Sequence, residues 1–328
     1  MATLVTGGAG YIGSHMVLRL VDAGVETVVL DNLSTGFDWA VDQRAHFVSG
    51  EVGDIEFVSS LIKSHNIEQI VHFAGSIVVP ESVENPLKYY ANNTCVSRNL
   101  LEAAVKGGVE RFVFSSTAAV YGMTGLAPVD EDVPQFPMSP YGRSKLMTEW
   151  MLADIAAAHD INYGVLRYFN VAGADPEGRS GQSMAGATHL IKVATQAALG
   201  MRDHINIFGT DFETPDGTGV RDYIHVSDLV DAHALLLDYL KTNKKNGTMN
   251  CGYGRGFSVR EVIDVVKQVS GVDFEVREVP RRAGDPDSVV ASADRIRKEL
   301  NWSPKLDDLN GIVKSAFEWE NYLRTRNR

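Results

Sequence analysis

The sequence predicts an α/β fold in which helices cover both faces of a parallel, doubly wound sheet. Short apolar stretches alternate with amphipathic stretches over roughly the first 170 residues, as strands and helices do in such sheets. A glycine-rich turn follows the first apolar stretch, and the second ends in an acid, Asp31, about 20 residues after that turn. This pattern is typical of a Rossmann fold. The rhythm loosens after it, which predicts a smaller C-terminal α/β region.

Composition limits the classes of partner. The chain has 328 residues, of which 44% are apolar and 22% charged, and its formal charge is −11. Its Lys and Arg residues are scattered, so no basic face for nucleic acid is predicted. Cys95 and Cys251 lie far apart without metal-ligand spacing, which predicts neither a disulfide framework nor a metal site. There is no basic leader and no apolar run of about 18 residues. We therefore expect a cytoplasmic protein with no membrane partner.

The first strand, turn and helix carry a nucleotide-binding signal. Residues 2–6 read as a buried strand, and Gly7, Gly10 and Gly13 lead into a helix that ends near Asp22. Such glycines allow a tight turn and let a pyrophosphate approach the helix N-terminus. Asp31 ends the next strand, where an acid binds the ribose diol and repels a 2′-phosphate, so NAD is favoured over NADP. By itself, Asp31 is also compatible with a turn residue at a strand end.

The following elements continue the alternation. After a short strand at 47–48, Asp54 either accepts a hydrogen bond from the adenine amino group or caps the helix that ends near residue 65. A strand over 69–73 contains His72, which its apolar neighbours predict to be a core histidine, and ends in Ala74 and Gly75. These small residues would let a cofactor lie against the backbone.

The fifth strand brings a hydroxyl to the same edge of the sheet. A long helix over about 86–107 carries Asn92 and Asn93, and a central strand over 111–115 follows. Ligands of open α/β sheets bind outside the carboxyl ends of the strands, so Thr117 should face the crevice. The alternative is a threonine that satisfies a local backbone group.

A tyrosine and a lysine, Tyr141 and Lys145, stand four residues apart at a predicted helix start. Ser139 suits the N-cap and Pro140 the first turn. On a helix the two side chains share one face. The ammonium would then favour the phenolate, whose ordinary pKa is about 10. An ordinary surface Tyr/Lys pair is the alternative that the spacing alone leaves open.

The C-terminal half lacks a strict alternation. Helical patterns occur near 187–199, 227–241, 258–270 and 309–323, with a strand at 205–208 and a loop over 209–219. Because no linker or repeat is present, this half should pack against the first. We expect an NAD-binding domain over 1–175 and a nucleotide-sugar region over 176–328, with some segments crossing between them.

The whole chain resembles the extended short-chain dehydrogenase/reductases, and among them the UDP-glucose (UDP-galactose) 4-epimerase family. The glycine turn, Tyr141 with Lys145, and the stretch 72–75 carry the general resemblance. The stretches 219–226 and 281–285 are more specific, because they resemble the nucleotide-sugar half of these enzymes.

The resemblance implies roles for individual residues. Tyr141, Lys145 and Thr117 are expected to be catalytic. NAD binding is expected of Gly7, Gly10, Tyr11, Ile12, Gly13, Asp31, Asn32, Ser34, Thr35, Gly36, Asp54, Ile55, Phe73, Ala74, Gly75, Asn92, Ser115, Tyr141, Lys145 and Tyr168. Binding of a UDP-sugar is expected of Thr117, Tyr141, Phe169, Asn170, His189, Leu190, Ile207, Phe208, Arg221, Tyr223, Arg282, Asp285 and Val289.

The implied reaction interconverts UDP-glucose and UDP-galactose. Tyr141 takes the proton of the sugar C4 hydroxyl while C4 passes a hydride to NAD, and the keto sugar turns and takes the hydride back on its other face. A related nucleotide-sugar epimerase, or a dehydratase or decarboxylase, is the nearest alternative. Dehydratases and decarboxylases usually carry an acid beside the strand-end hydroxyl, where this chain has Ala118 and Ala119. A non-catalytic NAD-binding protein would lack Tyr141 or Lys145.

Three positions depart from or specialise the family pattern. Ile77 stands where a lysine often holds the cofactor ribose, which predicts weaker NAD retention. His189 stands where asparagine is common. Val289 stands where a tyrosine crowds the sugar 2-substituent, so we expect some activity on the N-acetyl sugars, unless Val289 simply packs in a strand. The resemblance also implies a homodimer that packs through helices near 86–107 and 139–158.

Overall fold

The computed structural model of the chain describes residues 2–184, 186–282 and 284–326. Its strands are β1 (Ala2–Thr6), β2 (Thr27–Asp31), β3 (His46–Ser49), β4 (Ile67–His72), β5 (Arg111–Ser115), β6 (Asn162–Tyr168), β7 (Asn170–Ala172), β8 (His204–Phe208), β9 (Val220–His225), β10 (Gly247–Cys251), β11 (Gly256–Ser258), β12 (Glu275–Val279) and β13 (Ser288–Val289). Its α-helices are α1 (Tyr11–Asp22), α2 (Ile55–Ser64), α3 (Val79–Glu84), α4 (Pro86–Tyr89), α5 (Val96–Gly107), α6 (Pro140–Ala158), α7 (Leu190–Ala198), α8 (Val226–Asn243), α9 (Val259–Ser270), α10 (Asp294–Leu300) and α11 (Leu309–Arg326).

Seven strands form one parallel sheet in the order β10-β6-β5-β4-β1-β2-β3. The predicted doubly wound α/β fold is therefore confirmed. The order reverses between β1 and β4, and a crevice opens at such a switch point outside the carboxyl ends of the strands. The edge strand β10 comes from the C-terminal half and pairs with β6.

Apolar residues on alternating strand positions pack into two cores, one on each face of the sheet. Leu4, Ile70 and Phe112 join one core with residues of α2 and α5. Val5 and Val71 join the other core with residues of α1 and α8. Because successive side chains of a strand point to opposite faces, a sheet covered on both sides has nearly continuous apolar strands.

Helix starts follow local capping chemistry. The Asp54 side chain accepts from the Phe57 backbone N–H at 3.0 Å, so it caps α2. Ser139 accepts from the Gly142 N–H at 3.2 Å and caps α6. Each cap satisfies a backbone donor that the first helical turn leaves unpaired. The predicted helix over 86–107 differs in detail, because a π-helical segment, Tyr90–Cys95, separates α4 from α5.

The C-terminal half adds two small sheets. In the first, β9 pairs with β11, β13 and β7, and in the second β8 pairs with β12. Strand β7 starts directly after β6 of the main sheet, so β9 is held beside the crevice. Within the described residues, every helix is too short or too polar to cross a membrane.

Candidate active site

A cavity of about 320 Å³ opens at the carboxyl ends of β1, β4 and β5. Many of the residues predicted to bind NAD line it: Gly7, Gly10, Tyr11, Ile12, Gly13, Asp31, Asn32, Ser34, Thr35, Phe73, Ala74, Gly75, Asn92, Ser115, Tyr141, Lys145 and Tyr168. Thr117, Phe169, Asn170 and His189, predicted to bind the sugar nucleotide, line the same cavity. The fold thus brings the glycine turn and the predicted catalytic pair to one crevice.

The glycine turn fits a dinucleotide because side chains would close it. Gly7 has φ 72°, and a Cβ there would lie 2.6 Å from the Ala74 backbone nitrogen. A Cβ on Gly13 would lie 2.1 Å from the Gly7 carbonyl oxygen. The glycines therefore let α1 start close to β1, with its N-terminal N–H groups available to a pyrophosphate.

Asp31 ends β2 and lines the cavity. Its carboxylate accepts from the Ala9 N–H at 3.0 Å and from the Leu33 N–H at 2.8 Å. Both roles that the sequence allows for Asp31 therefore have a physical basis. Its carboxylate holds the turn, and its remaining lone pairs can accept hydrogen bonds from a ribose diol.

The predicted catalytic pair lies at the start of α6 and lines the cavity. Tyr141 and Lys145 are both buried. Lys145 Nζ donates to the Ser115 carbonyl at 3.0 Å and lies 4.9 Å from the centre of the Phe114 ring. Thr117 is hydrogen-bonded to the Tyr141 hydroxyl. The surface-pair alternative is therefore wrong, since neither side chain is on the surface.

Burial shifts the pKa of both Tyr141 and Lys145. It raises the pKa of Tyr141, and the hydrogen bond with Thr117 lowers that pKa by a smaller amount. Burial lowers the pKa of Lys145 to about 8, and the charge of Glu149 partly opposes this. The phenol therefore needs the nearby positive charge to act as a base near neutral pH.

A buried ion pair that the sequence reasoning missed supports the catalytic helix. Glu149, one turn after Lys145, contacts Arg167 of β6 with an Oε2–Nη2 distance of 2.6 Å. Ser116, which directly precedes Thr117 in the chain, donates from Oγ to Glu149 Oε1 at 2.5 Å. The pair therefore fixes α6 against the ends of β5 and β6. The position of Glu149, four residues after Lys145 on the same helix, was the sequence signal from which this pair could have been predicted.

A second buried network, around Asn93 of the π-helical segment, joins α6 to the cavity wall. Asn93 accepts from the Ser76 N–H at 2.7 Å and donates to Ser144 Oγ at 3.0 Å. Next to it, His72 contacts Thr6 Oγ1 at 2.7 Å and Ser97 Oγ at 2.9 Å. The prediction of a satisfied core histidine at His72 is confirmed. π-Helical turns often occur near functional sites.

The predicted phosphate-binding arginines do not line the cavity; Arg221 lies in β9 and Arg282 follows β12. Arg221 is largely buried, and its Nη2 is 4.0 Å from Asp285 Oδ1. Burial lowers the pKa of Arg221, and the nearby charge of Asp285 partly opposes this. The Arg282 guanidinium carbon lies 3.6 Å from the centre of the Phe208 ring. Guanidinium groups such as these bind a diphosphate with paired hydrogen bonds.

Several predicted site residues do not line the cavity. Gly36, Asp54 and Ile55 lie outside it, and the Asp54 side chain is used as the cap of α2. Ile207 and Tyr223 are buried in the core, because their alternating strand positions face inward. Leu190 packs against the same core, and Val289 packs against Ala118 and Tyr121. Phe208, Arg221, Arg282 and Asp285 do not line the cavity either; Arg221 contacts Asp285, and Arg282 stacks on Phe208.

The two departures from the family pattern line the cavity. His189 precedes α7 and is half-buried; the partial loss of solvent lowers its pKa, and its Nδ1 has no hydrogen-bond partner among the described residues. Ile77 is 42% exposed and offers the cofactor no polar contact. Across those residues, no group of three or more His, Cys, Asp or Glu side chains is placed to hold a metal ion.

Comparison with known proteins agrees with this geometry. The sequence profile of the NAD dependent epimerase/dehydratase family matches residues 3–252. A UDP-glucose 4-epimerase of Azospirillum brasilense is 55% identical over 320 residues, which cover 98% of this chain and 92% of that protein. The structure of UDP-glucose 4-epimerase from Brucella ovis in complex with NAD is 41% identical, covers 97% of each chain and has a TM-score of 0.94. The UDP-Glc/GlcNAc 4-epimerase of Campylobacter jejuni is 48% identical, with 98% of this chain and 99% of that chain covered and a TM-score of 0.86. The chain belongs to the NAD dependent epimerase/dehydratase family, and within it to the UDP-glucose 4-epimerases.

Proposed function

We propose that the protein interconverts UDP-glucose and UDP-galactose by transient oxidation at the sugar C4. The observation that carries this proposal is the buried Tyr141, hydrogen-bonded to Thr117 and one helical turn from Lys145, in the cavity that the glycine turn also lines. Nearly full-length similarity to UDP-glucose 4-epimerases supports the same reaction. When bound, NAD supplies a hydride acceptor at C4 and returns the hydride.

The residues of the chain manage the proton and hold the substrate. The Tyr141 phenolate takes the proton of the C4 hydroxyl. Thr117, which is hydrogen-bonded to the Tyr141 oxygen, relays that proton. Lys145 keeps a positive charge beside this site. Arg221 and Arg282 bind the diphosphate, and the exposed face of Phe208 is available to the nucleotide. With the UDP group anchored, the sugar turns about its link to the diphosphate.

A second activity, on the N-acetyl-hexosamine pair, is proposed from Val289, which stands where the family pattern has a residue beside the sugar. Val289 is half-buried in β13, in register with Arg221, and packs beside Ala118. Valine occupies much less space than tyrosine there. The similarity to the Campylobacter jejuni UDP-Glc/GlcNAc 4-epimerase points in the same direction.

The test is Tyr141→Phe assayed by chromatographic separation of UDP-glucose and UDP-galactose. Loss of a positioned base should lower kcat at least about a hundredfold, while UDP binding is retained because Arg221 and Arg282 are unchanged. Tyr239→Phe, on α8 with its hydroxyl donating to Glu299 at 3.2 Å, is the matched control and should keep full turnover. If Tyr141→Phe keeps more than about a tenth of the wild-type rate, the proposal fails.

We also propose a homodimer that packs through α4, α5 and α6. Exposed apolar side chains support it: Leu87 is 77% exposed on α4, and Trp150 is 58% exposed on the neighbouring α6. Sedimentation at micromolar concentration should give a dimer, and Leu87→Asp with Trp150→Asp should give a monomer. A wild-type monomer contradicts the proposal. The cytoplasmic location and the division near residue 175 stay predictions.

A further inference from the structure

An ion pair at the cavity wall has no role in the reaction described above. Lys88 of α4 donates from Nζ to Glu81 of α3. Both side chains line the cavity, and they are 47% and 38% exposed. They lie on the wall formed by Ser76, Ile77 and Asn92, where Asn92 donates to Ser76 Oγ at 2.9 Å.

The charges around the cavity make Lys88 significant. Among the described residues that line it, Asp31, Glu51 and Glu81 are acidic, whereas only Lys88 and Lys145 are basic. Lys145 is buried and donates to the Ser115 carbonyl beneath Tyr141. NAD brings two further negative charges on its diphosphate. Of the two cations, Lys88 is therefore the one whose side chain has room to turn toward an anion.

Glu81 does not depend on Lys88 for its position. The Tyr89 hydroxyl contacts the second carboxylate oxygen of Glu81 at 2.8 Å. Tyr89 is fully buried, and its ring meets that of Tyr141 edge-on at 6.4 Å. Because Tyr89 holds Glu81, Lys88 can leave without disturbing the wall. A half-exposed ion pair is weak and gives way readily to a stronger anionic partner.

We propose that Lys88 is a cofactor-binding residue, whose ammonium leaves Glu81 and binds the NAD diphosphate from the wall that carries Ile77. Ammonium groups bind phosphate as point charges, so the contact requires no particular geometry of the side chain. The proposal rests on NAD as the cofactor and not on the identity of the sugar.

Equilibrium dialysis of the full-length protein against graded NAD concentrations tests the proposal without any sugar turnover. Lys88→Met keeps the aliphatic stem and removes the charge, so we expect the NAD Kd to rise about tenfold at low salt. The difference should shrink at about 1 M salt, where charges are screened beyond about 3 Å. Lys88→Arg should bind NAD within about threefold of the wild type.

Lys106→Met is the matched control. Lys106 lies on α5, is 51% exposed in an ion pair with Glu102, and does not line the cavity. Its loss should leave the NAD Kd unchanged. The proposal is overturned if Lys88→Met binds NAD within twofold of the wild type, if Lys106→Met weakens binding equally, or if the loss persists at high salt. None of these results would affect the proposed epimerase reaction, because dialysis reports binding alone.

Discussion

The buried pair Glu149–Arg167 should determine both stability and the alkaline limit of activity. Both side chains are about 7% exposed, and Arg167 donates from Nε to Glu149 at 3.1 Å and from Nη2 at 2.6 Å. Glu149→Gln keeps the volume and one acceptor oxygen but leaves the buried Arg167 charge without its carboxylate counter-ion. Removal of one partner from a buried pair costs about 3–5 kcal/mol of unfolding free energy.

The same change should act on Lys145. The charge of Glu149 opposes the effect of burial, which holds the Lys145 pKa at about 8. Without that charge the pKa falls further, because the ammonium loses a favourable neighbour. The fall of kcat at alkaline pH should therefore begin at lower pH in Glu149→Gln than in the wild type.

Urea denaturation and a pH–kcat profile measure the two effects. Glu102→Gln is the control, because Glu102 pairs with Arg98 and Lys106 on the surface of α5, and such pairs contribute about 0–1 kcal/mol. Glu149→Leu with Arg167→Met should recover part of the stability, since no buried charge is left unpaired. The reasoning is refuted if Glu149→Gln lowers the free energy of unfolding no more than Glu102→Gln does. It is also refuted if the alkaline fall of kcat stays at the wild-type pH.

Two further predictions concern acid stability and substrate range. Burial lowers the pKa of four histidines to about 4 or about 3, namely His15, His72, His225 and His233. Histidines in the unfolded chain have a pKa of about 6.5. Below that pH the unfolded chain therefore binds protons that the folded chain does not bind. Each histidine then costs about 2 kcal/mol at pH 5, and together they approach the whole stability of a typical domain, about 5–15 kcal/mol. The urea midpoint should fall sharply between pH 7 and pH 5, and an unchanged midpoint would contradict this. Val289→Tyr should abolish activity on the N-acetyl sugars while activity on UDP-glucose persists. Equal loss on both pairs would indicate misfolding, and no change would place Val289 outside the sugar site.

The sequence alone was sufficient where the physical cause is local. Gly7 must adopt a positive φ, Ser139 caps a helix within three residues, and Tyr141 and Lys145 share a face because a helix repeats every 3.6 residues. The alternation of strands and helices likewise fixes the doubly wound sheet and the edge at which ligands gather. These features depend on residues that are close together in the sequence, so they can be predicted from local sequence patterns.

Tertiary structure decided the features whose partners are distant in sequence. Arg167 meets Glu149 from 18 residues away, and β10 pairs with β6 across several intervening C-terminal elements. The charge environment of the cavity, including Lys88 beside Glu81, follows from which faces of α3 and α4 the packing turns inward. Asp54 had two chemically sound roles in the sequence, and the placement of its carboxylate on the Phe57 N–H assigned it to the cap. Composition and periodicity state which groups a chain carries, whereas pairing, burial and charge balance arise only when distant segments share one interior.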